Sequence, residues 1–198
     1  MKHCIINVTG VTLREVRIMA ETLIAFFSRA GENYFDGDMK YVKVGNTEII
    51  CNYIKELINA DVFKIEMKHP YSEDYMTCTE EAKKDLNDNV RPELSHYIDS
   101  VEEYEKIILA YPNYWGTVPM AVLTFLEKYD FKDKVIYPLC TNEGSGMGSS
   151  ELTIIEHAKD AKVDLGLSII GHEAEGSREV VREWLMEKGL IKFRLDKA

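Results

Sequence analysis

Five apolar runs of strand length, separated by helical patterns, restrict this chain to a narrow set of folds. They fall at residues 22–27, 61–67, 106–111, 134–140 and 162–170. The clearest reads Lys106-Ile-Ile-Leu-Ala-Tyr111. A strand with one wet face alternates apolar and polar residues, whereas a nearly unbroken apolar run needs cover on both faces. The intervening segments supply that cover. Across 46–59, Ile49, Ile50, Ile54, Leu57 and Ile58 recur at helical spacing and make one apolar stripe. Further helices are expected at 72–89, 118–128, 149–159 and 177–188. Pro119 sits in the first turn of its helix, where a missing N–H is harmless, and Gly189 stops the last one. Repeating β-α units with short connections imply an α/β fold, a parallel sheet with helices on both faces and right-handed crossovers.

At 198 residues the chain is long enough for one core without staples, so a single domain is expected over residues 21–198. Residues 1–20 precede the β-α rhythm and read as an N-terminal arm or leader. Two segments interrupt the rhythm: a polar, aromatic insertion at 32–44 and a long charged stretch at 68–100. A net charge of -10 disfavours a nucleic-acid surface, which needs clustered Lys and Arg. No apolar run reaches membrane-spanning length. Cys4, Cys51, Cys78 and Cys140 are scattered without a Cys-x-x-Cys pair, which gives no zinc or dithiol motif and fits a cytoplasmic protein with reduced thiols.

Chemistry concentrates in three loops after strands. The first strand runs into Ser28-Arg29-Ala30-Gly31, and Gly45-Asn46-Thr47 opens the first helix. Unpaired amides and the dipole at a helix N-terminus favour an anion, although Asn46 and the glycines also suit plain capping and turning. After the third strand comes Pro112-Asn113-Tyr114-Trp115-Gly116-Thr117, which puts flat rings at the carboxyl edge of the sheet. Aromatics there commonly pack as wall, but an irregular Pro/Gly loop on the surface invites stacking on a planar ligand. The third loop, Thr141-Asn142-Glu143-Gly144-Ser145-Gly146, lets backbone approach such a ligand closely. It lacks the glycine spacing of a dinucleotide fingerprint. Trp184 keeps helical register with Val180 and Val181 and reads as core. The histidines are isolated and no nucleophile–base pair is visible, so any chemistry would rest on a cofactor.

The three loops, in this order, resemble the flavodoxin family over about residues 22–188. The resemblance implies a flavodoxin-like three-layer sandwich with a five-stranded parallel sheet, order 2-1-3-4-5, that binds FMN. It implies that Ser28, Asn46 and Thr47 hold the phosphate, with Arg29, Gly31 and Asn33 nearby. Trp115, with Asn113, Tyr114 and Gly116 after Pro112, would flank the isoalloxazine. Glu143, Gly144, Ser145 and Gly146, following Thr141, would line its pyrimidine edge. One departure stands out: the family's phosphate loop runs unbroken, whereas here 32–44 interrupts it, and Ala30 stands where a hydroxyl residue is common. The insertion, with Tyr34, Phe35 and Tyr41, is expected to fold over the site, to form a partner surface or to be no more than a tolerated surface loop.

The implied role is electron transfer or a small flavin-dependent oxidoreductase, supplied by a redox partner protein or NAD(P)H. Reduction adds negative charge to a flavin, so acidic surroundings favour a low-potential carrier, and the acidic 72–89 and 99–105 segments would face a basic reductase. The alternative is a regulatory or interaction domain on the same fold without redox activity. A phosphoryl-accepting receiver needs an Asp at the end of the third strand, where this chain has Leu109-Ala110-Tyr111-Pro112.

Overall fold

The computed structural model describes residues 20–191. The expected arm, apart from Ala20, lies outside them. The central sheet contains β1 (Thr22–Phe26), β4 (Asp61–Lys64), β5 (Lys106–Pro112), β6 (Val135–Asn142), β7 (Lys162–Val163) and β8 (Leu167–Ile170). Every pairing in it is parallel, in the spatial order β4-β1-β5-β6-β7, with β8 also on β6.

Alternation along the strands builds two cores. Leu23, Ala25, Ile107, Leu109 and Tyr111 point to one face, under α3 (Met120–Lys128) and α4 (Ser150–His157). Ile24, Phe26, Ile108 and Ala110 point to the other, under α1 (Asn46–Leu57) and α5 (Arg178–Glu187). Trp184 is buried there, edge-on to Tyr137, as expected of a core residue. With α2 (Tyr75–Asn87) on the first face, the arrangement is the expected three-layer sandwich. Helix α2 starts after the Asp74 carboxylate, which accepts the Thr77 N–H at 2.8 Å, three residues later than the sequence pattern indicated.

Two corrections concern strands. Among the described residues the sheet has six strands, because the fifth expected run is split. Ile136 accepts the Asp164 N–H at 2.9 Å, so the peptide groups of 136 and 138 face the fifth strand. Residue 138 is proline and has no N–H to continue that ladder. The chain leaves register at 164–166 and resumes pairing at Leu167 opposite Leu139. The second correction is the insertion, which folds as an antiparallel hairpin of β2 (Gly31–Phe35) and β3 (Asp38–Val42). Its two-residue turn, Asp36-Gly37, has φ of 43° and 97°, the paired left-handed geometry that Asp-Gly favours.

Candidate functional site

The carboxyl ends of β1, β5 and β6 open into one cavity of about 510 Å³, within the size range of small-molecule sites. Its walls combine loop residues with one face of α2. Ten of the residues singled out from sequence line it: Arg29, Asn33, Asn46, Pro112, Asn113, Tyr114, Trp115, Thr141, Glu143 and Ser145. The three loops therefore meet at one rim.

Ser28, Gly31, Thr47, Gly116, Gly144 and Gly146 stand outside the wall and shape it from behind. The Ser28 hydroxyl accepts the Glu48 N–H at 3.2 Å and so caps α1 from another element. Thr47 is buried, its hydroxyl 2.8 Å from that of Thr141, which fixes α1 to β6. The Asn142 side chain accepts the Gly144 and Gly146 N–H groups, each at 2.9 Å, and rounds the third loop. Asn113 joins loops two and three, accepting the Gly116 N–H at 2.8 Å and donating to the Gly146 carbonyl at 2.9 Å.

Trp115 is the strained residue of the site. It has φ of 55°, and Tyr114 and Thr117 exchange backbone hydrogen bonds of 3.0 and 3.1 Å across it. A bulky residue in the left-handed region is uncommon and persists only where its surroundings impose it. Here the indole N–H donates to the Thr79 carbonyl at 2.9 Å, and Lys83 Nζ stands 4.5 Å from the ring centroid. The side chain is nevertheless 50% exposed, which leaves ring surface free beside the cavity.

Arg29 ties the loop after β1 to the segment before α2. Its guanidinium donates to the carbonyls of Ser72 and Glu73, both at 2.7 Å, and to that of Glu32. None of these partners is a carboxylate, so the positive charge beside the cavity is not neutralised by direct pairing. Burial pushes the Tyr114 and Tyr75 phenols and the Cys78 thiol above their ordinary values, which keeps these wall groups neutral.

The sequence reading missed Tyr75, Met76, Cys78, Thr79 and Ala82, together with Asn142 and Gly171. The first five form one face of α2, and amphipathic spacing cannot tell a face that packs on a sheet from one that lines a cavity. The insertion does fold over the site. Tyr34 lines the cavity and stacks on Tyr75, with ring centroids 6.3 Å apart and planes at 28°. The hairpin is fastened at both ends: Glu32 accepts the Tyr75 N–H at 3.1 Å, and the Asp36 N–H reaches Glu143 at 3.5 Å. His172 is not isolated, because its Nδ1 lies 2.7 Å from Glu143 Oε2.

Among the described residues no cluster of His, Cys, Asp and Glu converges as a metal site, and no helix is long and apolar enough to cross a membrane. No curated protein matches the chain significantly. Solved structures that share its fold include the following three. A candidate flavoprotein from Bacteroides eggerthii DSM 20697 is 21% identical, with a TM-score of 0.67 over 84% of this chain and 96% of that one. A candidate flavoprotein from Bacteroides uniformis ATCC 8492 is 22% identical, with a TM-score of 0.64 over 85% and 99%. A flavoprotein in complex with FMN from Lactobacillus acidophilus NCFM is 16% identical, with a TM-score of 0.54 over 78% and 96%. The family model described as Flavodoxin matches residues 39–188, beginning within β3 and including the second and third loops. The chain belongs to the flavodoxin family.

Proposed function

We propose that the cavity binds FMN and that the chain is a flavodoxin-type redox protein working in electron transfer. The observation that carries this reading is the convergence of three loops on one aromatic-walled cavity at the carboxyl edge of the sheet. Family membership and the FMN complex of the Lactobacillus acidophilus protein support the choice of ligand.

The residues present fit such a group. A flat heterocycle needs apolar ring surface with a few polar edges, and Trp115, Tyr114, Tyr34 and Tyr75 supply rings beside the amides of Asn33, Asn46 and Asn113. An anionic tail needs donors and positive potential. Helix geometry leaves the Asn46 and Thr47 amides without intrahelical acceptors, and Arg29 brings its charge to the same cavity from beside Ser72 and Glu73. When bound, FMN supplies the capacity to take up and release electrons.

The chain's own residues do the rest. Arg29 and the first turn of α1 hold the tail. Trp115, fixed through Thr79, orients the ring by stacking. The β2–β3 hairpin shields the site from water on one side, while the neutral phenols add no charge that would oppose reduction. The free thiols Cys51, Cys78 and Cys140 are consistent with a reducing cytoplasmic setting.

The test is the absorption spectrum of the protein as purified, with chromatography of the released flavin. Flavin bands and FMN are expected; a colourless protein that cannot be reconstituted would favour an interaction domain on the same fold. Added NADPH alone is expected to leave the flavin oxidised, as in a carrier that a partner protein reduces. Direct bleaching would assign the chain as an NAD(P)H-dependent oxidoreductase instead.

A further inference from the structure

Glu143 is the one acidic side chain in the cavity wall among the described residues. Its side chain is only 19% exposed, and both carboxylate oxygens are held. Oε1 accepts the His172 backbone N–H at 2.9 Å, and Oε2 lies 2.7 Å from His172 Nδ1. The carboxylate also packs beside Asn46 over the bare Cα of Gly171. A Cβ there would stand 2.5 Å from Glu143 Oε1 and 2.6 Å from Asn46 Nδ2. The carboxylate thus sits next to Asn46, the first residue of α1, whose amide is proposed above to receive the anionic tail, whereas the family resemblance puts Glu143 along the ring's pyrimidine edge.

We propose that His172 is a positioning residue that takes up a proton when an anionic ligand occupies this end of the cavity, cancelling the charge of Glu143. The inference rests on the FMN reading. The charges acting on His172 come from three elements and share one sign: Glu143 in the third loop, Asp36 in the hairpin turn and its neighbour Glu173. The hydrogen bond to Glu143 is the main cause that lifts its pKa above the ordinary value, against a smaller opposing effect of burial.

The sign follows from linkage. A bound anion raises the His172 pKa further, so the complex holds more protons than the free protein, and affinity increases as pH falls. The proton comes from solvent and no bond to the ligand forms.

The experiment is calorimetric titration with FMN from pH 7 to 9, where a phosphate monoester is already dianionic, in two buffers of different ionisation enthalpy. For the wild type we expect net proton uptake and an affinity that falls roughly fivefold or more across the range. His172→Asn keeps a side-chain N–H for Glu143 but cannot titrate, and it should abolish the uptake and flatten the profile. Glu143→Gln should flatten it as well and bind FMN more tightly than the wild type at pH 9. Riboflavin, which lacks the phosphate, should bind without proton uptake. A flat wild-type profile, unchanged uptake in His172→Asn, or equal uptake with riboflavin would each overturn the proposal while leaving FMN binding intact. Failure of FMN to bind at all would overturn the functional reading and this proposal together.

Discussion

Gly45→Ala is expected to destabilise the protein and to weaken FMN binding at least tenfold. Gly45 has ordinary extended backbone angles, so the effect is one of space rather than conformation. A Cβ at this position would lie 2.4 Å from the Arg29 carbonyl oxygen and 2.4 Å from the Ser28 hydroxyl. The first obstacle is backbone and cannot rotate away. Relief requires the loop after β1 to move off α1, which breaks the bond between Ser28 and the Glu48 N–H and shifts Arg29. Overpacking and loss of a cap together amount to about 2 to 3 kcal/mol. Chemical denaturation gives the stability, and titration with FMN gives the affinity. Wild-type values for both would show that α1 does not need this close approach.

Trp115→Ala is expected to leave the fold intact and to lower FMN affinity roughly 5- to 150-fold, the equivalent of about 1–3 kcal/mol of stacking. The ring is half exposed, so little core packing is lost. Trp115→Phe should retain most of the affinity, because it keeps a stacking face and loses only the hydrogen bond to Thr79. Trp115→Gly separates strain from stacking. It relieves the left-handed φ of 55°, so it should bind FMN as poorly as the alanine variant while unfolding at a higher denaturant concentration. Flavin-binding titrations with the three variants check the order. Equal affinity in wild type and Trp115→Ala would remove Trp115 from the site.

Particular residues explain what could be read from sequence and what could not. The run at 106–111 declared a strand covered on both faces, since burial of successive side chains needs no knowledge of partners. Continuous β-α alternation then implied a parallel sheet, while its strand order was implied only by the family resemblance of the three loops. The split of the fifth strand was hidden, because it depends on which side of β6 the missing N–H of Pro138 falls. The hairpin is legible in part: Asp36-Gly37 between Tyr34-Phe35 and the aromatic Tyr41 is a turn signal.

The loop residues of the site emerged because strand ends in open α/β sheets meet at one rim. Ser28 and Thr47 are the phosphate-holding residues that the resemblance implies, and in the structure their hydroxyls are engaged by the Glu48 N–H and by Thr141. The cavity face of α2 could not be read, since Tyr75, Cys78, Thr79 and Ala82 show only helical periodicity until the partner surface is known. His172 likewise gained meaning only when the fold brought it, over 29 positions of sequence, to Glu143.

Titrating FMN with purified flavin-free protein and following flavin fluorescence tests the central claim most directly. The expected result is quenching that saturates at one FMN per chain, with weaker binding of riboflavin. Fluorescence that stays unchanged with folded protein in large excess would contradict it.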